Sequence, residues 1–324
     1  MNGRGRIASR GVFVTDLVLL SEIRQRTAPV FTNSGASVLD IGSGICCLEF
    51  HRKMNALDVS IFDAVEAAID IAGRDFRALV IGNEAARAFS AGADVSFFLD
   101  AVDRGDRAGL DAFIARGQVL VARLKYAPFP VVGAAFGVAV GGGCEILLHC
   151  DAIVAHADLN AGLPETTIGI VPGWGGCAQM LIRYGADSVA DVFAMILAGT
   201  ISKSAEMARD MKILRPGDPI VSDRARLLTD AKAMAETLAG GYRQPEKARI
   251  ATGGEAGKRA LLAGLSAEAA ARTGPVADAL ATILTGNGKT SATEDEIMAL
   301  ERAALVELAF SPAARTAMGR LLGR

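Results

Sequence analysis

Short apolar segments alternate with segments of helical periodicity from residue 38 to residue 182, and this alternation is the feature that most limits the possible folds. Residues 38–50 predict a β-hairpin around Gly44, and residues 58–73 predict a helix with Asp58 as its N-cap. The same pattern predicts further strands at 77–81, 129–135 and 151–157, and further helices at 111–124, 145–150 and 176–182. Strands that alternate with helices are typical of an α/β domain built around a buried sheet.

The two ends of the chain have different patterns from the middle. Residues 1–36 have weak periodicity and end in the turn-forming segment TNSGAS, so we predict a peripheral N-terminal arm of unknown role. Residues 37–200 form the predicted core, in which residues 160–165 (NAGLPE) predict a turn. Beyond about Ala186 the composition and periodicity are helical throughout, and we predict a helical C-terminal region at residues 201–324.

The composition of the 324 residues excludes several classes of function. The formal net charge is −2 and aromatic residues make up 5%, so the chain lacks both the basic footprint and the stacking platform of a nucleic-acid-binding protein. The most apolar run, residues 131–140, is roughly half as long as a membrane-spanning helix must be. The five cysteines form no C-x-x-C pair, which indicates reduced thiols. We therefore predict a cytoplasmic protein without a membrane span or a nucleic-acid partner.

Two acidic residues follow loops in which glycine leaves the backbone open to a ligand. Glu145 follows the triple glycine at 141–143, and Glu165 follows the Gly-Leu-Pro segment at 162–164. A glycine-rich turn at a helix N-terminus presents N–H groups and the positive end of the helix dipole to an anion. The segment FSAGAD at 89–94 is a second candidate source of N–H donors. Taken singly, each feature also fits close helix–strand packing or a solvated glutamate.

The chain carries three such segments in a fixed order, namely FSAGAD at 89–94, VGGGCEILLHCDAIVA at 140–155 and GLPETTIGIVPGWGG at 162–176. Together they resemble the enoyl-CoA hydratase/isomerase, or crotonase, superfamily over about residues 38–184. The resemblance implies an α/β crotonase fold, a spiral of repeated ββα units. It also implies that the helical C-terminal region takes part in trimerisation and in the substrate pocket, giving a homotrimer or a dimer of trimers.

A second resemblance is to one branch of that superfamily. The segments KMNALD, ISKSAEMARDMKILRPGD and TEDEIMALERAALVELAF are similar to the hydratase module at the C-terminal end of some bacterial 3-hydroxyacyl-CoA dehydrogenase fusions. No G-x-G-x-x-G segment follows a predicted strand, so this chain is not expected to bind NAD by itself.

The superfamily resemblance implies roles for five residues of an active site. The backbone N–H groups of Ala93 and Gly142 form an oxyanion hole for the thioester oxygen, which becomes negative in an enolate-like intermediate. Glu145 and Glu165 form an acid–base pair, in which Glu165 exchanges the Cα proton and Glu145 helps to activate water. The backbone N–H of Gly173 helps to hold that water.

The resemblance also implies how the coenzyme A part of a substrate is recognised. Backbone contacts are expected at Met54, Ala91, Ala93 and Asp94, beside the oxyanion donor Gly142. Because coenzyme A belongs to the substrate, no separate cofactor and no metal ion are expected.

The activity expected from the resemblance is the reversible hydration of a trans-2-enoyl-CoA to a 3-hydroxyacyl-CoA. Two alternatives remain open: an enoyl-CoA isomerase, and a non-catalytic acyl-CoA-binding subunit. Family isomerases commonly retain only the glutamate that matches Glu165, so the presence of Glu145 favours the hydratase. Trp174 is expected either to line the acyl pocket or to cover the core, whereas Cys144 and His149 are expected to be structural.

Overall fold

The computed structural model describes residues 17–185, 188–247 and 249–324, so the first part of the predicted N-terminal arm lies outside the described residues. The strands are β1 Phe31–Thr32, β2 Ala36–Asp40, β3 Ile45–Phe50, β4 Ala78–Ile81, β5 Ala88–Ser90, β6 Val131–Ala135, β7 Val138–Val140, β8 Ala152–His156, β9 Asn160–Gly162, β10 Ile220–Val221, β11 Arg249–Ala251 and β12 Ser291–Thr293. The helices are α1 Leu20–Arg26, α2 Val59–Asp75, α3 Val95–Arg104, α4 Arg107–Lys125, α5 Gly142–Leu148, α6 Gly176–Tyr184, α7 Val189–Leu197, α8 Ala205–Asp210, α9 Leu227–Ala239, α10 Gly254–Ala263, α11 Ala267–Leu284, α12 Glu294–Ala309 and α13 Pro312–Leu321.

Two sheets organise the core. The larger has the strand order β1-β2-β3-β4-β6-β8-β10, antiparallel from β1 to β3 and parallel from β3 onward. The smaller has the order β5-β7-β9 and is parallel throughout. Strands β3, β4 and β6 are buried along their whole length, as expected for parallel strands that are covered on both faces.

One arrangement is repeated three times along the chain: a strand of the larger sheet, a strand of the smaller sheet, and then a helix. The three units are β4-β5-α3, β6-β7-α5 and β8-β9-α6. This is the predicted series of ββα units. Because the three small strands are parallel, their carboxyl ends meet at one edge, where the three sequence segments singled out above begin.

Most of the predicted core elements are present. The hairpin is β2 and β3, and the Asp58 carboxylate caps α2 by accepting a hydrogen bond from the Ile61 N–H at 3.1 Å. Helix α4 begins four residues before the predicted start at Asp111, because Asp106 caps it through the Gly109 N–H at 2.9 Å.

Two predictions of local structure are wrong. Residues 160–162, predicted as part of a turn, form β9, and the region beyond Ala186 contains β10, β11 and β12 besides its helices. These strands are two or three residues long, too short to show alternation, and each exists because it pairs with a partner that is remote in sequence.

The described part of the N-terminal arm packs on the core. Leu20 in α1 is fully buried, the Val18 N–H donates to the Thr229 hydroxyl at 2.9 Å, and β1 forms the edge of the larger sheet. The division of the chain at residue 36 stays a prediction.

Two C-terminal helices reach the region where the small strands end. Helix α12 packs against α4 and α6, and α13 packs against α3 and the short 3₁₀ turn Glu165–Ile168. No helix among the described residues combines the length and the apolar character needed to cross a membrane.

Candidate active site

A cavity of about 630 Å³ opens at the edge where β5, β7 and β9 end. All the residues predicted for the site line it: Met54, Ala91, Ala93, Asp94, Gly142, Glu145, Glu165 and Gly173. Its size is typical of a pocket for a small organic ligand. The topology explains why segments far apart in sequence meet here, because ligands of parallel sheets bind beyond the carboxyl ends of the strands.

The backbone N–H groups of Ala93 and Gly142 are both available to a ligand. Leu57 and Ala93 form a parallel β-bridge, in which the Leu57 N–H donates to the Gly92 oxygen and the Asp94 N–H donates to the Leu57 oxygen. The Ala93 N–H is therefore directed away from Leu57. Gly142 begins α5, where the first N–H groups of a helix have no partner within the helix. Neither N–H has an acceptor among the described residues, so both can donate hydrogen bonds to a negative oxygen.

Gly92 keeps the space in front of these donors open. Its φ of +86° is a left-handed conformation, and a Cβ there would lie 2.8 Å from the Val140 oxygen and 3.2 Å from the Gly142 nitrogen. Only glycine permits the two loops to approach this closely.

Glu145 projects from α5 into the same cavity and is only 2% exposed. Its Oε1 accepts hydrogen bonds from the backbone N–H groups of Trp174 at 2.7 Å and Gly176 at 2.9 Å. Burial raises the pKa of Glu145 to about 7, against the opposing effect of the N–H donors at Trp174, Gly176 and Gly173. This carboxyl group can therefore gain or lose a proton near neutral pH.

Glu165 begins a 3₁₀ turn that follows β9. The turn is closed by the Thr167 hydroxyl, which donates to the Pro164 oxygen at 2.6 Å, and it ends at Gly169. The Glu165 Oε2 is buried without a hydrogen-bond partner among the described residues. Burial and, second, the negative charge of Glu145 raise the pKa of Glu165 well above its ordinary value. An unpartnered buried carboxyl oxygen on a cavity wall is poised for proton exchange with a ligand.

Trp174 does both of the things that the sequence left open, because it lines the cavity and is also buried in the core. Its ring packs against Phe62 and Phe113, with centroids 5.4 Å and 5.9 Å away. A Cβ at Gly117 would overlap one edge of the indole, and a Cβ at Gly142 would overlap another. The indole of Trp174 therefore occupies space that is open only because residues 117 and 142 are glycines.

Gly117→Ala should disturb the site through this indole. We expect the free energy of unfolding to fall by about 1–3 kcal/mol from overpacking, even though alanine favours a helix more than glycine does. Because Trp174 is the chain's one tryptophan, its fluorescence should change in position or intensity. Gly73→Ala in α2 is the matched control, since its Cβ would meet Phe129 at an ordinary 3.4 Å. Equal stability and emission in the two variants would contradict this packing account.

The residues predicted to contact coenzyme A surround the cavity mouth. Met54 has a left-handed φ of 54° and is 41% exposed, and its carbonyl accepts a hydrogen bond from the Ala91 N–H at 3.0 Å. The Asp94 side chain caps α3 by accepting from the Ser96 N–H at 2.9 Å, so its carboxylate already has a structural partner. Their contacts with coenzyme A stay a prediction.

Sequence reasoning missed one acidic residue near the site. Glu301 lies on α12, is fully buried, and accepts hydrogen bonds from the backbone N–H groups of Gly175 and Ala178. It stands on the buried face of the helix, four residues after Ile297 and four before Leu305. An acid in an apolar helical stripe was the available signal.

Two other side chains have the structural roles expected of them. The Cys144 thiol is buried, and burial raises its pKa well above the ordinary value, which makes it a poor nucleophile. His149 is buried, with its Nδ1 2.7 Å from the Glu145 backbone oxygen, and burial lowers its pKa to about 4. Among the residues that the structure describes, no group of three or more His, Cys, Asp or Glu side chains is arranged to hold a metal ion.

One family model and several known proteins match this chain. The family model described as enoyl-CoA hydratase/isomerase matches residues 40–248. The "Probable 3-hydroxyacyl-CoA dehydrogenase" of Bacillus subtilis is 33% identical over 319 residues, covering 94% of this chain but only 40% of that protein. The "Probable enoyl-CoA hydratase" of Bacillus subtilis is 34% identical over 205 residues, covering 62% of this chain and 75% of that protein.

A solved structure shares the fold. The crystal structure of enoyl-CoA hydratase from Bacillus halodurans matches with a TM-score of 0.64 at 16% identity, over 89% of this chain and 100% of that chain. The predicted crotonase fold is thereby confirmed. Because the family model matches residues 40–248 and a relative that is 34% identical aligns over 75% of its own length, this chain belongs to the enoyl-CoA hydratase/isomerase family.

Proposed function

We propose that this chain catalyses the reversible addition of water to a trans-2-enoyl-CoA, giving a 3-hydroxyacyl-CoA. The observation that carries the proposal is that the carboxyl groups of Glu145 and Glu165 share one cavity with two backbone N–H donors that have no acceptor among the described residues. Shifting a double bond requires one group that moves a proton between carbons, whereas adding water requires a group for the water as well. The pair therefore supports the hydratase over the isomerase.

The oxyanion hole would stabilise the intermediate. With the thioester oxygen between the N–H groups of Ala93 and Gly142, addition of oxygen at Cβ moves an electron pair toward the carbonyl and forms an enolate. Each fixed donor in such a site contributes about 3–4 kcal/mol to the transition state.

The carboxyl pair would move the two protons. A water molecule held by Glu145 and the Gly173 N–H loses a proton to the Glu145 carboxylate as its oxygen bonds to Cβ. Protonated Glu165 then gives its proton to Cα, and the enolate collapses to the thioester. The substrate gains one H and one OH, no electrons are transferred to a cofactor, and one proton passes from Glu145 back to Glu165 to reset the pair.

The rate should depend on pH in a bell-shaped manner. Burial raises the pKa of Glu145 to about 7, and burial together with the charge of Glu145 raises the pKa of Glu165 well above its ordinary value. The two interacting carboxyl groups therefore lose their protons in two steps, both above the ordinary range of a carboxyl group. As pH rises, kcat/KM should first increase, when one carboxyl group of the pair becomes a carboxylate that can accept a proton from water. It should then decrease, when the pair loses the proton that is donated to Cα. Initial rates across pH with crotonyl-CoA measure this. If both inflections of the pH–rate profile lay near the ordinary pKa of a carboxyl group, the expected effect of burial would be contradicted.

The cavity walls suit an aliphatic acyl chain. Apolar side chains line the cavity, among them Phe98 on α3, Ile114 on α4 and Leu305 on α12, together with Trp174 and Leu322 outside the helices. Binding an acyl group there removes apolar surface from water on both partners. We therefore include an acyl-CoA thioester with an apolar acyl group in the proposal.

A comparison of two substrates distinguishes this proposal from the isomerase. The purified chain is given a trans-2-enoyl-CoA and, separately, a 3-enoyl-CoA, and the products are measured by mass and by the absorbance of the conjugated thioester. The hydratase proposal expects a gain of one water from the 2-enoyl thioester. A double-bond shift at constant mass from the 3-enoyl thioester, without hydration of the other, would support the isomerase instead.

Assembly and cellular context belong to the same proposal. A homotrimer or dimer of trimers is expected from the family, and sedimentation of the purified chain measures it. The product would be a 3-hydroxyacyl thioester in the cytoplasm, which a dehydrogenase of that substrate class can consume. The similarity to a protein named as such a dehydrogenase supports this order of reactions.

A further inference from the structure

Two carboxyl groups on different helices hold one backbone turn between them. Glu145 on α5 accepts from the N–H groups of Trp174 and Gly176, at 2.7 Å and 2.9 Å. Glu301 on α12 accepts from the N–H groups of Gly175 at 2.6 Å and Ala178 at 3.1 Å. Along the turn, the N–H groups of Trp174 and Gly176 thus point toward Glu145, and the N–H group of Gly175 between them points toward Glu301.

Helix α12 supports this turn at two further points. The Gln118 side chain donates to the Gly173 oxygen at 2.8 Å and to the Met298 oxygen of α12 at 2.6 Å, which ties the turn to the helix. Leu305, one turn of helix after Glu301, packs so closely under Gly173 that a Cβ there would lie 2.5 Å from Leu305 Cδ1. The turn that carries the water-binding N–H of the proposed mechanism is therefore set by α12.

Glu301 is a third buried carboxyl group near Glu145 and Glu165, and burying it is unfavourable unless the N–H groups of Gly175 and Ala178 bond it. Burial and, second, the charge of Glu145 raise the pKa of Glu301 well above its ordinary value, and Glu301 in turn raises the pKa of Glu165. A buried acid is tolerated where its oxygens are hydrogen-bonded. Both oxygens of Glu301 are bonded, and both bonds go to the turn, so its contacts are directed there.

We propose that Glu301 is a positioning residue for the hydration reaction: it orients the segment 173–178 so that Trp174 and Gly176 present their N–H groups to Glu145. This inference rests on the proposed function for its kinetic consequence. Glu301 lies behind the turn, so it acts through Glu145 and the turn rather than on the substrate.

The kinetic test is a double-mutant cycle between Glu301 and Glu145. Glu301→Gln keeps the shape but replaces one accepting oxygen by an NH₂ group that faces a backbone N–H. We expect kcat to fall about 10- to 100-fold with little change in KM, as for a small misplacement of a catalytic group. In the Glu145→Gln background the same substitution should change kcat less than about twofold. Equal losses in the two backgrounds would overturn the proposal.

The matched control is Glu296→Gln on the same helix. Glu296 lies in the first turn of α12, where its side chain accepts from the Thr293 N–H at 2.7 Å and from Lys289 at 2.8 Å, neither of which belongs to the segment 173–178. We expect it to lower the thermal unfolding midpoint without lowering kcat. A kcat loss equal to that of Glu301→Gln would mean that any damage to α12 has this effect, which also overturns the proposal. If Glu301→Gln does not fold, Glu301→Asp replaces it in the cycle with the same expectation.

A measurement without substrate separates this inference from the proposed function. In protein labelled with heavy nitrogen in glycine, the amide signal of Gly175 must move in Glu301→Gln because its acceptor changes. The signal of Gly176, which is bonded to Glu145, should move as well. Movement of Gly175 alone would show that Glu301 bonds the turn without orienting it. If the wild type hydrates no enoyl-CoA, the proposed function fails, and these amide signals still decide the role of Glu301.

Discussion

Replacing Glu165 by glutamine should lower kcat about 10²–10⁴-fold while the affinity for acyl-CoA changes little, because the substitution removes a proton donor and keeps its shape. Its Oε2 has no partner among the described residues, so glutamine breaks no described hydrogen bond at that atom. Stability should be retained or increased, since a buried group whose charged form is disfavoured is removed. Initial rates and binding of a saturated acyl-CoA measure the two effects separately.

A glutamate-to-glutamine change on the surface controls for this result. Glu307 lies on α12 with its side chain 77% exposed, and Glu307→Gln should leave kcat and stability unchanged. Full activity of Glu165→Gln would contradict the assigned role. A loss of acyl-CoA binding equal to the loss of rate would mean that Glu165 holds the substrate and does not move the proton.

Replacing Glu145 by glutamine should also reduce hydration by about 10²–10⁴-fold, but it should leave exchange of the Cα proton with solvent largely intact. The variant should fold, because a single oxygen, Oε1, accepts from both Trp174 and Gly176, and the amide oxygen of glutamine can do the same. Hydration rates and uptake of deuterium at Cα from heavy water separate the two roles. Equal loss of both processes would contradict the division of labour between the carboxyl groups.

The same variant should change how stability depends on pH. The folded pKa of Glu145 is raised from 4.5 to about 7, so its contribution to the free energy of unfolding is fully present below 4.5 and is lost as pH rises through 7. Glutamine does not titrate. The stability of Glu145→Gln relative to wild type should therefore increase across this window, and denaturant unfolding at its two ends measures the change. A constant difference would mean that Glu145 is not buried as described.

Much of the site could be predicted from sequence because its residues lie in local motifs that together resemble those of a known family. The glycines before Glu145 and the loop before Asp94 are short segments whose backbone geometry depends on their own residues, and the structure brings them to one cavity. The paired roles of Glu145 and Glu165 stay predictions that the mutants above test. Strands of the larger sheet were predicted where apolar runs were four residues or longer, whereas β5, β7 and β9 beside the site were not predicted.

The remaining features depend on contacts between distant residues. Strand β9 is recognisable only by its pairing with β7, and β10 only by its pairing with β8. Glu301 bonds a turn more than a hundred residues earlier in the chain, and no local pattern specifies that contact. The position of Glu301 on an apolar helical face was visible in the sequence, but its hydrogen-bond partners in the segment 173–178 were not.

Whether this chain adds water to an enoyl-CoA at the Glu145–Glu165 pair is tested most directly by the conjugated thioester absorbance of crotonyl-CoA, mixed in turn with wild type, Glu165→Gln and Glu145→Gln. We predict rapid loss of absorbance with wild type, a product heavier by one water, and little loss with either variant. Stable absorbance with folded wild-type protein that binds acyl-CoA would contradict the account.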